Sequence, residues 1–157
     1  DFDVPPEQVL VLVKPEGDLE FDNVLDASSM YGILMFANTP IQDNNLTSTV
    51  KAVEHLLVNN SIGGVVRYED DNYMRTAAEA QPNPWFVCTL WLAQYYIQTH
   101  DFEKAKSLVN WSIAHSLGSG ILSEQVHPQT GYAIGVAPLV WSHAELINTI
   151  LDLSGTN

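Results

Sequence analysis

Residues 84–99 constrain the fold more than any other stretch of the chain. Pro84-Trp85-Phe86-Val87-Cys88-Thr89-Leu90-Trp91-Leu92-Ala93 opens a segment that is apolar on nearly every face at helical spacing. Pro84 suits a first helical position, where its fixed φ is already helical and its missing N–H is not needed. A helix apolar all round is buried all round. The run is too short for a membrane, which needs about 20 apolar residues. Other parts of the chain must therefore enclose it.

The flanking segments are suited to that task. Residues 24–37 predict a first helix, with Asn23 as N-cap, Asp26 in the first turn and Asn38-Thr39-Pro40 as the stop. Residues 46–59 predict a second, in which Leu46, Val50, Val53 and Leu57 draw one apolar stripe before Asn59-Asn60-Ser61-Ile62-Gly63-Gly64 breaks it. Residues 102–117 predict a fourth, capped by Asp101, with Phe102, Ala105, Val109 and Ser112 on one face, Lys104 and Lys106 off it, and Gly118 and Gly120 beyond its end. Ser142-His143-Ala144-Glu145 reads as a capping box opening a fifth, which runs to about Leu153 with Gly155 just past it. Val9-Leu10-Val11-Leu12-Val13 is a short apolar run stopped by Lys14-Pro15-Glu16-Gly17, either a strand or a helical turn. Residues 1–21 are otherwise irregular.

The expected fold class is all-α. Five helices, alternately buried and amphipathic, suit concentric layers, and 157 residues suffice for one domain with a real core. The net charge of −13 argues against nucleic acid or an anionic membrane as partner, while acidity by itself confers only solubility. Cys88 is the only cysteine, which excludes an intrachain disulfide and a cysteine-based zinc site; it reads as a small buried hydrophobe. The five histidines show no metal-ligand spacing, and no metal or cofactor is expected. No basic and apolar leader is present, so a cytoplasmic location is expected.

Chemistry concentrates in two loops. Leu122-Ser123-Glu124-Gln125-Val126-His127-Pro128-Gln129-Thr130-Gly131 places a carboxylate between buried segments, where its pKa can be tuned for acid/base work. From spacing alone, a solvated loop glutamate is the favoured reading of Glu124, since most loop carboxylates are wet. The second loop, residues 61–83, is long for a compact domain, and loops of that size are often functional. It carries Arg67-Tyr68-Glu69-Asp70-Asp71-Asn72-Tyr73. Arg67 offers a planar fork of donors for two adjacent oxygens, or pairs with Glu69, Asp70 or Asp71. Tyr68 and Tyr73 either stack on a ligand or pack in the loop. Trp85 reads as a binding-site ring or as core, while Trp91, Trp111 and Trp141 read as core. His143 at the start of the last helix reads as structural, and Gly63-Gly64 as a turn.

These segments, with Phe21-Asp22-Asn23-Val24-Leu25-Asp26-Ala27-Ser28 before them and Pro138-Leu139-Val140-Trp141-Ser142-His143-Ala144-Glu145 after, resemble in their order glycoside hydrolase family 15, the glucoamylases and their prokaryotic relatives. The resemblance covers residues 20–152. It implies an (α/α)6 barrel, of which the chain supplies the C-terminal half, about three helical hairpins. It implies an inverting hydrolase of α-glucosidic bonds, with Glu124 as general base. Arg67, Tyr68, Asp71, Trp85 and Gln125 are implied in substrate binding. The family's general acid belongs to the other half-barrel, and no segment here resembles it. The resemblance therefore implies an α-glucan or another α-glucoside as substrate, and a missing N-terminal half-barrel or a homodimer as partner. An isolated chain is expected to be inactive. The alternative is a non-catalytic helical carbohydrate-binding or structural domain.

Overall fold

The computed structural model describes residues 10–13, 19–21, 23–77 and 80–155. β1 (Leu10–Val13) and β2 (Leu19–Phe21) pair as an antiparallel ribbon, so the apolar run near the N-terminus is a strand. The rest of the segment expected to be irregular lies outside the described residues.

α1 (Ala27–Phe36) begins later than the sequence suggests. Its N-cap is Asp26, whose carboxylate accepts from Ser28 N at 2.7 Å, not Asn23. The reason is long-range. Ala27 N donates to Arg67 O, Glu69 N donates to Leu25 O, and Leu25 N donates to Glu69 Oε2, which holds residues 25–26 extended beside residues 67–69. α2 (Asn44–Ala52) is capped by Asp43 and runs on through a π-helical turn, Val53–Leu57. Leu46, Val50, Val53 and Leu57 are all at most 2 % exposed, so the predicted stripe is the buried face.

α3 (Phe86–Gln98) is buried without interruption from Phe86 to Tyr96. Pro84 does not open it. Pro84–Trp85 is instead β4, the second strand of a small antiparallel sheet in the order β3 (Val65–Val66), β4, β5 (Gln125–Val126), β6 (Ala133–Ile134). Trp85 faces Val65 on one side and Gln125 on the other. This cross-chain pairing outweighs the local preference of proline for a helix start.

α4 (Phe102–Ala114) is capped by Asp101, which accepts from Lys104 N. Ala105, Val109 and Ser112 are buried, but Phe102 is 41 % exposed and sets its ring against His100 instead of joining that face. α5 (Val140–Ser154) ends on Gly155, whose φ of 70° closes the helix in the left-handed region. The capping box is not formed. The helix starts two residues before Ser142, whose hydroxyl donates to Ser123 O, and Glu145 is buried.

α3 packs against α1 on one side and α5 on the other, and α4 packs against α3 and α5. α2 and its π turn pack against α1. The result is an inner layer, α1–α3–α5, backed by the amphipathic α2 and α4, as in one half of an α/α barrel. The starts of the inner helices face one end, where the sheet and the two long loops lie. Among the described residues, no helix is long and apolar enough to cross a membrane.

Candidate active site

Arg67 is delivered to this end by a tightly built turn. Asn59 Oδ1 accepts from Ser61 N and Ile62 N. Gly63 and Gly64 follow with φ of 74° and 77°. Gly64 lies flat on the Trp111 ring, where a Cβ would come within 2.3 Å of Cζ2. Trp111 in turn donates to Ile62 O at 2.8 Å. Trp111 is thus the support under the turn, and Val65–Val66 leaves it directly for the sheet.

The Arg67 guanidinium then lies over the Trp85 ring at 4.7 Å and over Tyr68 at 4.8 Å. Its Nε is 3.7 Å from Asp71 Oδ2. Asp71 is only 1 % exposed. It accepts from Trp85 Nε1 at 3.0 Å and from Tyr73 N at 2.9 Å. Of the two readings of Arg67, the pair with Asp71 is present, and it leaves the Arg67 side chain 38 % exposed. Burial works against the Arg67 charge, but Tyr68, Asp71 and Asp26 outweigh it and raise its pKa above the ordinary value.

Glu124 sits one residue before β5, so it neighbours the pairing of Trp85 with Gln125. Its carbonyl accepts from Phe86 N at the start of α3. The loop is fastened to α5 as well: Leu139 N donates to Leu122 O, Ser142 Oγ donates to Ser123 O, and Leu122 N donates to His143 Nε2. His143 is thus structural, as its place suggests. Glu124 Oε2 is enclosed and has no hydrogen-bond partner. It lies against Gly135, held at φ 80°, where a Cβ would stand 2.6 Å away. Burial raises the Glu124 pKa, Arg67 pulls it down, and Asp71 pushes it up. Arg67, Asp71 and Glu124 accordingly share one electrostatic environment.

Gln125 is fully buried, and its Oε1 accepts from Asn83 Nδ2 at 2.7 Å. That bond clips the end of the long loop to the sheet. Asp26, Arg67, Tyr68, Trp85, Trp91 and Trp141 line a cleft of about 270 Å³. Trp91 is core, as expected, at 4 % exposed. Trp141 is not: it is 49 % exposed and forms part of the cleft wall. Gly135 and Asn83, which touch the predicted residues Glu124 and Gln125, were not singled out in the sequence. Among the described residues, no group of histidine, cysteine, aspartate and glutamate is arranged to hold a metal ion.

No family model matches the chain. It is similar to trehalase 2 of Sulfolobus acidocaldarius, with 29 % identity over 89 % of the chain, and to the trehalase of Mycolicibacterium smegmatis, with 25 % identity over 84 %. The chain spans about a fifth of the length of these relatives, 22 % and 19 %. Among solved structures it superimposes on a bacterial glucoamylase complexed with acarbose, with a TM-score of 0.74 and 21 % identity over 92 % of this chain and 23 % of that one. It also superimposes on a wild-type glycosidase, with a TM-score of 0.71 and 21 % identity over 87 % of this chain and 38 % of that one. These likenesses establish the fold as part of a helical toroid of the glucoamylase type.

Proposed function

We propose that the chain is the C-terminal part of the catalytic domain of an inverting glycoside hydrolase of family 15, acting on an α-glucoside. Trehalose is the first candidate substrate, because the matched sequence relatives are trehalases. The observation that carries the reading is that Glu124 immediately precedes the residue paired with Trp85 and lies near enough to Arg67 and Asp71 to feel both charges, although these residues are distant in sequence.

In this reading the half-exposed Trp141 ring covers the apolar face of the pyranose, while Trp85, only 4 % exposed, is core and supports the Arg67 guanidinium that lies over it. Arg67 donates to the sugar hydroxyls, with Asp71 holding both Arg67 and Trp85 in place. Glu124 takes a proton from the water that attacks the anomeric carbon. An inverting pair of carboxyl groups stands roughly 6.5–9.5 Å apart, and the second one protonates the departing oxygen. That acid comes from the rest of the toroid, on helices this chain does not supply. The inner layer ends on apolar surface to receive them: Phe36 on α1 is 79 % exposed, and Val140 and Ile147 on α5 are 79 % and 58 % exposed.

The test is glucose release from trehalose and from maltooligosaccharides by the full-length protein, with the product anomer followed by NMR. Release of β-glucose supports the reading. No release from any α-glucoside, or release with retention, overturns it.

A further inference from the structure

Beneath the cleft the three inner helices share one carboxylate. Glu145 of α5 is 6 % exposed. Its Oε2 accepts from Gln94 Nε2 of α3 at 2.7 Å, and its Oε1 accepts from Trp141 Nε1 at 3.1 Å. Tyr31 of α1 adds a longer contact, its hydroxyl 3.5 Å from Oε1. Thr149 completes the group, donating to Glu145 O at 2.7 Å and accepting from Gln94 Nε2 at 3.2 Å. All the side-chain donors are neutral, and among the described residues no ion pair includes Glu145.

A buried carboxylate without a cation is a costly way to join helices, and an apolar side chain often packs as well. What the carboxylate adds is a pair of aimed, charged acceptors. One of them is spent on Trp141, whose ring forms part of the cleft wall. Behind Trp141 lies Trp91, with ring centres 5.6 Å apart, and Trp91 stacks on Tyr31 at 4.4 Å and 13°. An indole left half in solvent keeps freedom about two torsions. Here the Trp91 face behind it and the Glu145 acceptor at its N–H remove that freedom. Donation to an anion also makes the indole face more electron-rich, which favours contact with the weakly positive C–H groups of a sugar.

The geometry points to Glu145 as a positioning residue that fixes the Trp141 indole as a wall of the sugar cleft. This role rests on the glycosidase reading above, and it is separable from it. Glucose binding to the full-length protein, read by tryptophan emission, is compared for the wild type, Glu145→Gln, Glu145→Leu, Trp141→Phe and the Glu145→Leu/Trp141→Phe double variant. Gln retains an acceptor, so Glu145→Gln binds glucose nearly as the wild type does. Leu fills the space but accepts nothing, so Glu145→Leu binds about tenfold more weakly, the effect of freeing one charge-assisted hydrogen bond. With Trp141→Phe already present there is no indole N–H to hold, and adding Glu145→Leu costs little more. A purely structural Glu145 would lower thermal stability without this coupling. Fully additive losses, or unchanged glucose binding in Glu145→Leu, overturn the role. If Glu145→Leu does not fold, weakening in Glu145→Gln equal to that in Trp141→Phe overturns it, and near wild-type binding in Glu145→Gln supports it. A wild-type protein that binds no glucose defeats the glycosidase reading instead.

Discussion

Gly135 stands so close to Glu124 that a methyl group in place of its hydrogen would lie 2.6 Å from Oε2 and 3.0 Å from Cβ. The glycine sits at φ 80°, a region that side chains rarely adopt, so two separate constraints fall on one position. Gly135→Ala is expected to lower stability by about 1–3 kcal/mol, the usual cost of a strained backbone, measured by thermal or denaturant unfolding. It is also expected to displace the Glu124 carboxylate, so kcat falls while KM changes little. Unchanged turnover in a folded Gly135→Ala protein would separate this contact from the chemistry.

Glu124→Gln in the full-length enzyme should reduce turnover by about 10²–10⁴-fold, the span typical of one general acid or base. Sugar binding should survive, since the amide keeps the side chain's size. A variant that keeps the wild-type rate removes Glu124 from the base role.

The pH profile carries a signed expectation. Burial raises the Glu124 pKa, so the acid limb of kcat/KM should lie above the ordinary carboxylate value near 4.5. Arg67 lowers this pKa and Asp71 raises it. Arg67→Met should therefore move the acid limb to higher pH, and Asp71→Asn should move it to lower pH. The linked stability effect has the opposite sense to that of a salt-bridged carboxylate. A carboxyl whose folded pKa is raised binds its proton more tightly when folded, so its contribution declines as pH rises through the window between the unfolded and folded values. Shifts in the reverse order would mean that the two charges do not act on Glu124 directly.

Gly64→Ala probes the support under Arg67. The added Cβ would meet the Trp111 ring at 2.3 Å, and φ is 77°. The turn must move, and Arg67 with it. The expected outcome is a lower melting temperature together with a raised KM, measured on the same preparation. A lower melting temperature with normal KM would show that the turn and the cation are not coupled.

The 157-residue segment produced alone is expected to release no glucose and to self-associate. In the proposed reading the acid opposing Glu124 lies outside this segment, and the inner layer exposes Phe36, Val140 and Ile147. Sedimentation and a glucose assay together check this, and a monomer with robust activity would contradict it.

The sequence shows most plainly what depends on local period. The continuous burial of α3 and the Leu46–Leu57 stripe follow directly from the spacing of apolar residues. It fails where distant strands decide. Pro84 is a good helix opener by local rules, but Val66 and Trp85's partner Gln125 pull residues 84–85 into a sheet. Asn23 and Ser142 fail as caps for the same reason, because residues 67–69 and Ser123 take up the groups beside them. At the site, residue types suited to chemistry were visible at Arg67 and Glu124. The fixing contacts of Gly135 and Asn83 were not, since nothing local to either position reveals a partner in another loop.

The Glu124 loop is bound to α3 and α5, and in the long loop Asp71 and Asn83 are tied to the neighbouring strand residues Trp85 and Gln125. The paired residues Trp85 and Gln125 therefore anchor both loops at adjacent points. A change in the long loop that keeps Asp71 and Asn83 keeps both of those anchors. Variation elsewhere in that loop is thereby buffered from the frame that carries Arg67 and Glu124.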